Sequence, residues 1–339
     1  MAGCAAASAD CSPSNTGTSG QDAITCDSSS NPAGANVSGG GANDTITIRD
    51  GAAAGQVSGD GGDDTINLKG GSATSILGSN GMDEINLLGG TAGSVGGGTG
   101  TDTITLKGAT VSGAITGDGA ADTINLKSGS ASSVSGGDGD DEITLDGATI
   151  AGAITGDAGE DKISLNPGSA GSVDGGDDND SIFLKGATIS GTIDGGDGDD
   201  LIKLNSAADT PGTGSAAAVY GGIGNDTILL GGATISGVIS GDAGADTITL
   251  DAGEAGSVSG GDDGDTITLE GAAIDGALTG DQGNDEINLT SGSAGSVDGG
   301  TGYDTITLEG AAISGTLAGG DADDTIKLLA GSAGDVDGG

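Results

Sequence analysis

Residues 97–106 read GGTGTDTITL, a glycine-rich turn that ends in Asp102 and continues into alternating polar and apolar residues. The alternation of Ile104 and Leu106 with threonines has the period of two that is typical of a strand with one buried face. The string Asp-x-Ile-x-Leu occurs fifteen times, with Ile48 replacing Leu in the first copy, at intervals of 19 or 20 residues and one interval of 26. This regularity indicates a repeat protein, in which each unit buries a small face against its neighbours.

A second apolar segment completes each repeat and ends two residues before the next glycine-rich turn, at positions such as Val95, Ile115 and Val134. One repeat therefore predicts two short strands and two turns, which is the content of one solenoid coil. The predicted fold is all-β: a right-handed parallel β-solenoid (β-roll) of about 15–16 coils with 19–20 residues per coil. At about 4.8 Å per coil the array would be roughly 70 Å long.

The array is predicted to occupy residues 39–339, with an inserted loop near 207–215, and residues 1–38 are predicted to form an N-terminal cap. Cys11 and Cys26 are expected to close a disulfide in this cap, which suits an oxidising compartment. Cys4 is not part of this expected pair, and the sequence leaves open whether it is a free thiol, forms an intermolecular disulfide or carries a lipid anchor. Because the chain ends where another turn would begin, we expect a fragment of a longer array.

Composition excludes several classes of function. The chain has 8 basic and 51 acidic residues and a formal net charge of −43. This charge argues against binding of nucleic acid or of an anionic membrane surface, and it indicates that the protein binds cations. No apolar stretch approaches the roughly 20 residues of a membrane span. The absence of His and the scattering of the few basic residues make an enzyme unexpected.

An Asp at the same place in every repeat forms a column of like charges once the coils stack. At a spacing of about 4.8 Å, adjacent carboxylates repel by roughly 1 kcal/mol in water and roughly 3.5 kcal/mol at an effective dielectric constant of about 20. Calcium takes about six to eight oxygen ligands, which carboxylates and turn carbonyls can supply. The alternative is a solvated acidic edge with diffuse sodium or magnesium. The predicted metal ligands are Asp44, Asp64, Asp83, Asp102, Asp122, Asp141, Asp161, Asp180, Asp200, Asp226, Asp246, Asp265, Asp285, Asp304 and Asp324.

The turn and strand together, clearest in residues 97–102, 136–141 and 195–200, resemble the nonapeptide G-G-x-G-x-D-x-U-x of hemolysin-type (RTX) calcium-binding repeats. The resemblance implies multiple Ca²⁺ ions between coils along one edge, held by the Asp carboxylates and glycine carbonyls. The usual RTX roll has two such turns per coil, whereas only one turn per coil carries Asp here. This one-sided layout is similar to solenoids of large bacterial adhesins, including ice-binding ones, and to passengers of Gly-rich autotransporters.

The expected function is an extracellular, calcium-stabilised structural or adhesive array at the bacterial cell surface: an adhesin stalk, an autotransporter passenger, or a component of a surface fibre or layer. The expected partners are calcium ions, with further copies of the chain (end to end or side by side) or a cell-surface polysaccharide as additional candidates. The alternative is an ice-binding or glycan-binding module. Outward Thr pairs such as Thr305 and Thr307 favour ice, but charged residues such as Glu142 and Lys203 interrupt their ladder. The ligand, the export route and the oligomeric state stay open.

Overall fold

The computed structural model describes residues 11, 14–28, 34–204 and 214–339, and this part of the chain contains 31 strands and no helix. Within each of the two units described below, strands of successive coils pair in parallel, so the predicted all-β parallel solenoid is confirmed. Cys4 and most of the predicted insertion (residues 207–213) lie outside the described residues. The chain forms two compact units, residues 1–154 and 155–339. No helix long and apolar enough to cross a membrane occurs in the described ranges.

The first unit contains strands β1 to β12 and the start of β13. Their bounds, in order, are Ala23–Cys26, Val37–Gly41, Thr45–Ile48, Ala53–Gly61, Thr65–Asn80, Glu84–Thr99, Thr103–Val111, Ala114–Gly119, Thr123–Ala131, Ser133–Asp138, Glu142–Leu145, Thr149–Ile150 and, for β13, Ala153–Ala158.

The second unit contains the rest of β13 and strands β14 to β31. Their bounds from β14 onward are Lys162–Leu165, Ser169–Ala170, Ser172–Asp177, Ser181–Leu184, Thr188–Ile189, Thr192–Asp197, Leu201–Leu204, Ser215–Ala216, Ala218–Ile223, Thr227–Ala243, Thr247–Asp262, Thr266–Gln282, Glu286–Thr301, Thr305–Leu308, Ala312–Ile313, Thr316–Asp321, Thr325–Leu328 and Asp335–Asp337.

Identical residues stack in register inside each unit. In the first unit Ile66 pairs with Ile85 and Ile85 with Ile104, and the Leu two residues later follows the same register. In the second unit Ile248 pairs with Ile267 in the same way. The Ile of these ladders is fully buried in all but the last coil, so the core is a continuous stack of aliphatic side chains. Because a one-residue slip would turn every such side chain outward, this pattern specifies the register.

Some coils have more strands than the pattern predicts, whereas others, such as the coil formed by β24 (Thr247–Asp262), are one continuous strand. The coil that begins with β14 (Lys162–Leu165) continues through the short strand β15 (Ser169–Ala170) and then β16 (Ser172–Asp177). The predicted second strand is therefore two strands, separated in this coil at Gly171. The short middle strand escaped detection because two residues are too few to display a period of two.

The N-terminal segment contains a disulfide and is joined to the array by strand pairing. Cys11 and Cys26 form a disulfide, the pair named from the sequence. The strand β1 (Ala23–Cys26) pairs in register with β3 (Thr45–Ile48), so the segment expected to be a cap contributes a strand of the solenoid itself. Ile24 and Cys26 are buried and extend the aliphatic core by one coil.

Candidate metal site

The Asp that closes each glycine-rich turn is buried, although it belongs to a strongly acidic protein. Fourteen of the fifteen predicted residues are between 0% and 3% exposed, and Asp324 in the last coil is half-buried. Inside each unit these residues occupy equivalent places in successive coils, because the strands that follow them stack in register. The alternative of a solvated acidic edge is therefore wrong for this column of residues, called here the Asp column.

In fourteen of the fifteen column carboxylates, Oδ1 accepts the backbone N–H of the equivalent Asp in the preceding coil. The N–H of Asp44 donates to Oδ1 of Asp64 at 2.7 Å, and the N–H of Asp64 donates to Oδ1 of Asp83 at 2.7 Å. In the second unit the N–H of Asp226 donates to Oδ1 of Asp246, also at 2.7 Å. Each side chain thus reaches back by one coil and satisfies a buried amide that strand pairing leaves without an acceptor. Sequence reasoning missed this role of the column.

A second ladder in the same turn runs in the opposite direction. Oδ1 of Asn43 accepts the N–H of Asp63 in the next coil at 3.0 Å, and Oδ1 of Asn225 accepts the N–H of Ala245 at 3.0 Å. The residue directly before the column Asp therefore reaches forward where it is Asn or Asp. The recurrence of Asn or Asp at this place is a signal in the sequence that could have revealed the ladder.

In most of the column the other carboxylate oxygen has no hydrogen-bond partner. Among the described residues, thirteen column carboxylates have a buried Oδ2 without a donor: those of Asp44, Asp64, Asp83, Asp102, Asp122, Asp180, Asp200, Asp226, Asp246, Asp265, Asp285, Asp304 and Asp324. A buried charged oxygen without a partner is costly, and a row of them requires an explanation.

Each of these oxygens faces a glycine and a carbonyl group of the next coil. A Cβ added to Gly59 would lie 2.3 Å from Oδ2 of Asp64 and 2.6 Å from the carbonyl oxygen of Gly78. A Cβ added to Gly241 would lie 2.1 Å from Oδ2 of Asp246. One carboxylate oxygen and one carbonyl oxygen therefore converge on the same side of a glycine, which explains why this glycine is present in every repeat.

This donor set suits a hard cation such as calcium. The described side chains contain no group of three or more His, Cys, Asp or Glu arranged around a metal position. The column supplies one carboxylate per coil, so backbone carbonyl oxygens have to complete the coordination of an ion. Calcium accepts such mixtures of carboxylate and carbonyl ligands, whereas zinc prefers nitrogen and sulfur. The unpartnered Oδ2 atoms and the facing carbonyl groups fit calcium.

The electrostatics of the column favour uptake of a cation. Burial, and secondly the charges of neighbouring column residues, raise the pKa of Asp64 to about 6, of Asp122 to about 7 and of Asp180 to about 8. The hydrogen bond from the preceding amide acts in the opposite direction but does not compensate for burial. Without a cation, the column must therefore take up protons or retain buried repelling charges near neutral pH.

Comparison with known proteins supports the fold. No protein-family model matches the chain, and no curated protein matches it. The chain is similar to the X-ray crystal structure of a hyperactive, Ca²⁺-dependent, β-helical antifreeze protein from an Antarctic bacterium, with a TM-score of 0.53 and 24% identity over 84% of this chain and 78% of that chain. At this identity the similarity establishes a shared β-helical fold, and the likeness to hemolysin-type repeats stays a resemblance.

Proposed function

We propose that this chain is a calcium-stabilised repeat array with a structural or adhesive role outside the cell, at the bacterial surface. The observation that carries the proposal is the set of thirteen column carboxylates whose buried Oδ2 atoms have no partner. Bound calcium would supply the missing partner and neutralise the repulsion between coils. The calcium dependence of the β-helical antifreeze protein with the similar fold supports the same assignment.

Calcium binding of this kind makes folding depend on the calcium concentration around the chain, which differs between locations. An ion that binds the folded state alone stabilises it by about 2.7 kcal/mol per site when its concentration is about 100 times its dissociation constant. A chain exported unfolded would therefore become rigid where calcium is abundant. We expect no enzymatic activity, since the described surface presents a repeating array and the chain has no His.

Circular dichroism and thermal melting, with calcium and with a chelator, test the proposal. We expect the β signal and the melting temperature to fall on chelation and to return with calcium but not with magnesium, because magnesium requires small octahedral sites. Elemental analysis of the dialysed protein should find several calcium ions per chain. A fold indifferent to chelation would refute the proposal and leave a metal-free solenoid held by its aliphatic ladders.

Ice binding is the second candidate, and a specific surface favours it. In the second unit Thr247 and Thr249 pair in register with Thr266 and Thr268. These outward side chains form two parallel rows, spaced about 4.8 Å between coils and about 6.6 Å along each strand. The next coil interrupts the rows with Glu286. The solved structure of similar fold is an antifreeze protein, which adds to the case.

Measurement of thermal hysteresis and of ice-crystal shape tests this second candidate. If the threonine rows bind ice, the protein in calcium should shape ice crystals, and Thr268→Tyr should abolish the effect while leaving the melting temperature within a few degrees. A matched change on an exposed residue of another strand, Ser293→Tyr, should leave ice shaping intact. Absence of hysteresis in the calcium-loaded protein would leave the structural role as the proposal.

A further inference from the structure

The outward face of the strands that follow the Asp column changes character in the second unit. There Phe183, the only Phe of the chain, is half-exposed and pairs in register with Lys203 of the next coil. The Nζ atoms of Lys185 and Lys203 lie 5.5 Å and 6.0 Å from the centre of its ring. Leu201, also half-exposed, lies on the same strand as Lys203. These four residues are called the Phe183 patch.

The strands that precede the Asp column carry a contrasting surface in the same unit. A depression there is lined by Asp174, Asp194, Asp197, Ile223 and Asp242, and the side chain of Ile223 is 62% exposed. Asp174 and Asp194 are register partners in adjacent coils, where most other coils have a small or hydroxyl residue. This surface, called the Ile223 depression, therefore places an exposed aliphatic side chain among carboxylates.

The two surfaces are complementary in charge and in polarity. On one, two ammonium groups lie within 6.0 Å of the centre of an aromatic ring, and on the other an aliphatic side chain stands among carboxylates. Lys185 and Lys203 come from adjacent coils, as do Asp174 and Asp194, so each surface carries its charges on two neighbouring coils. We propose that a second copy of this chain docks here, with the Phe183 patch of one copy seated in the Ile223 depression of its neighbour.

The positions of the Phe183 patch and the Ile223 depression allow the contact to repeat from one copy to the next. The patch lies on the strands after the turn and the depression on the strands before it, so one molecule can use both surfaces at once. A contact between two different surfaces is heterologous, and repeated use generates extended assemblies rather than closed dimers. Since the depression spans the two coils of the patch and one further coil on each side, the copies would lie side by side.

The negative net charge of the two copies opposes association, but salt screens this repulsion beyond a short distance. At about 0.15 M ionic strength the screening length is about 8 Å, so most of the acidic residues of two docked copies no longer repel one another. Contacts between lysine and carboxylate at the interface are closer than this length and are screened much less. Contact between the Phe183 ring and the Ile223 side chain buries apolar surface, and salt does not weaken this contribution. Local complementarity therefore exceeds the residual repulsion at physiological salt.

Sedimentation velocity over a range of protein concentrations tests the proposal with charge-reversed variants. One variant carries K185E and K203E, and the other carries D174K and D194K. Each should associate at least about tenfold more weakly than the wild type, because like charges then meet at the interface. The equimolar mixture should associate again, since the Glu patch matches the Lys depression and both native surfaces are still present on one partner each.

The control variant carries K107E and K127E, which change the net charge equally, at the position of Lys185 in two coils of the first unit. It should associate like the wild type. Circular dichroism of every sample, with calcium and with chelator, reports folding separately, so failure of the calcium proposal is distinguishable from failure of this one. A monomeric wild type, unchanged association in both variants, or a mixture that does not recover would overturn the proposal.

Discussion

Replacement of a column Asp by Asn separates the two roles of its carboxylate. In Asp246→Asn the Oδ1 atom remains and can still accept the N–H of Asp226, which lies 2.7 Å away in the wild type. The unpartnered Oδ2 is replaced by an amide NH₂ group. This group can donate to the carbonyl oxygen of Gly260, because a Cβ added to Gly241 would lie close to both Oδ2 of Asp246 and that carbonyl oxygen. The hydrogen-bond ladder survives, while the charge and the proposed metal ligand are lost.

The effect on stability should change sign with calcium. Without the ion, Asn removes repulsion from two neighbouring column residues, worth roughly 1 kcal/mol each in water and up to roughly 3.5 kcal/mol each at an effective dielectric constant of about 20. We therefore expect a more stable metal-free protein at pH 8, by about 2 kcal/mol, the sum of the two repulsions in water. With calcium at about 1,000 times its dissociation constant, loss of one site removes about 4.1 kcal/mol, so the same variant becomes less stable than the wild type by about 2 kcal/mol.

Urea denaturation followed by circular dichroism, in chelator and in calcium, measures both effects. Asp246→Ala is the informative comparison, because it removes the same charge and also leaves the buried amide of Asp226 without an acceptor, so it should be less stable than Asp246→Asn by about 1–3 kcal/mol in both conditions. Asp251→Asn, at an exposed position, should change stability by less than about 0.5 kcal/mol in either condition. A destabilisation by Asp246→Asn of equal size with and without calcium would refute the assignment of Oδ2 as a calcium ligand.

Three further predictions follow from the turn and the termini. Since burial raises the pKa of Asp64 to about 6, of Asp246 to about 7 and of Asp180 to about 8, the folded metal-free protein holds protons that the unfolded chain releases above about pH 4. In chelator the melting temperature should therefore fall as pH rises from about 5 to about 8, and a rise would contradict the burial argument. Gly59→Ala should cost about 1–3 kcal/mol in urea denaturation and weaken calcium binding in calorimetry, whereas Gly61→Ala, whose Cβ meets nothing closer than 3.9 Å, should be nearly neutral. Reduction of the bond between Cys11 and Cys26, which closes a loop of separation 15, should cost about 3 kcal/mol in denaturation of the first unit, and an unchanged transition would contradict this.

Much of the fold could be predicted from the spacing of a few residues. The Ile and Leu that follow each Asp recur at coil length and alternate with polar residues, and the structure pairs them in register, as Ile248 and Ile267 show. The short middle strand, such as Ser169–Ala170, could not be predicted, because two residues carry no periodicity and their conformation depends on the coils above and below.

The candidate site was only partly visible in the sequence. The recurrence of Asp at one place in each turn predicted the column, and its cost in repulsion predicted a cation. The hydrogen bond from the amide of one column residue to Oδ1 of the next joins residues one coil apart, such as Asp226 and Asp246. No local sequence pattern therefore predicts it. The same applies to the pairing of Lys203 with Phe183, which only the stacking of coils brings together.

The sequence by itself determined the repeat length, the buried aliphatic ladder and the position of one acidic residue per coil, because these follow from periodicity and from the burial of apolar side chains. Tertiary structure alone decided that the acidic residue is buried, that one of its oxygens is engaged by the preceding coil, and that the other faces a glycine and a carbonyl group. The physical reason is that hydrogen bonds and exposure in a solenoid are set between coils, across about 20 residues of sequence but only about 4.8 Å of space.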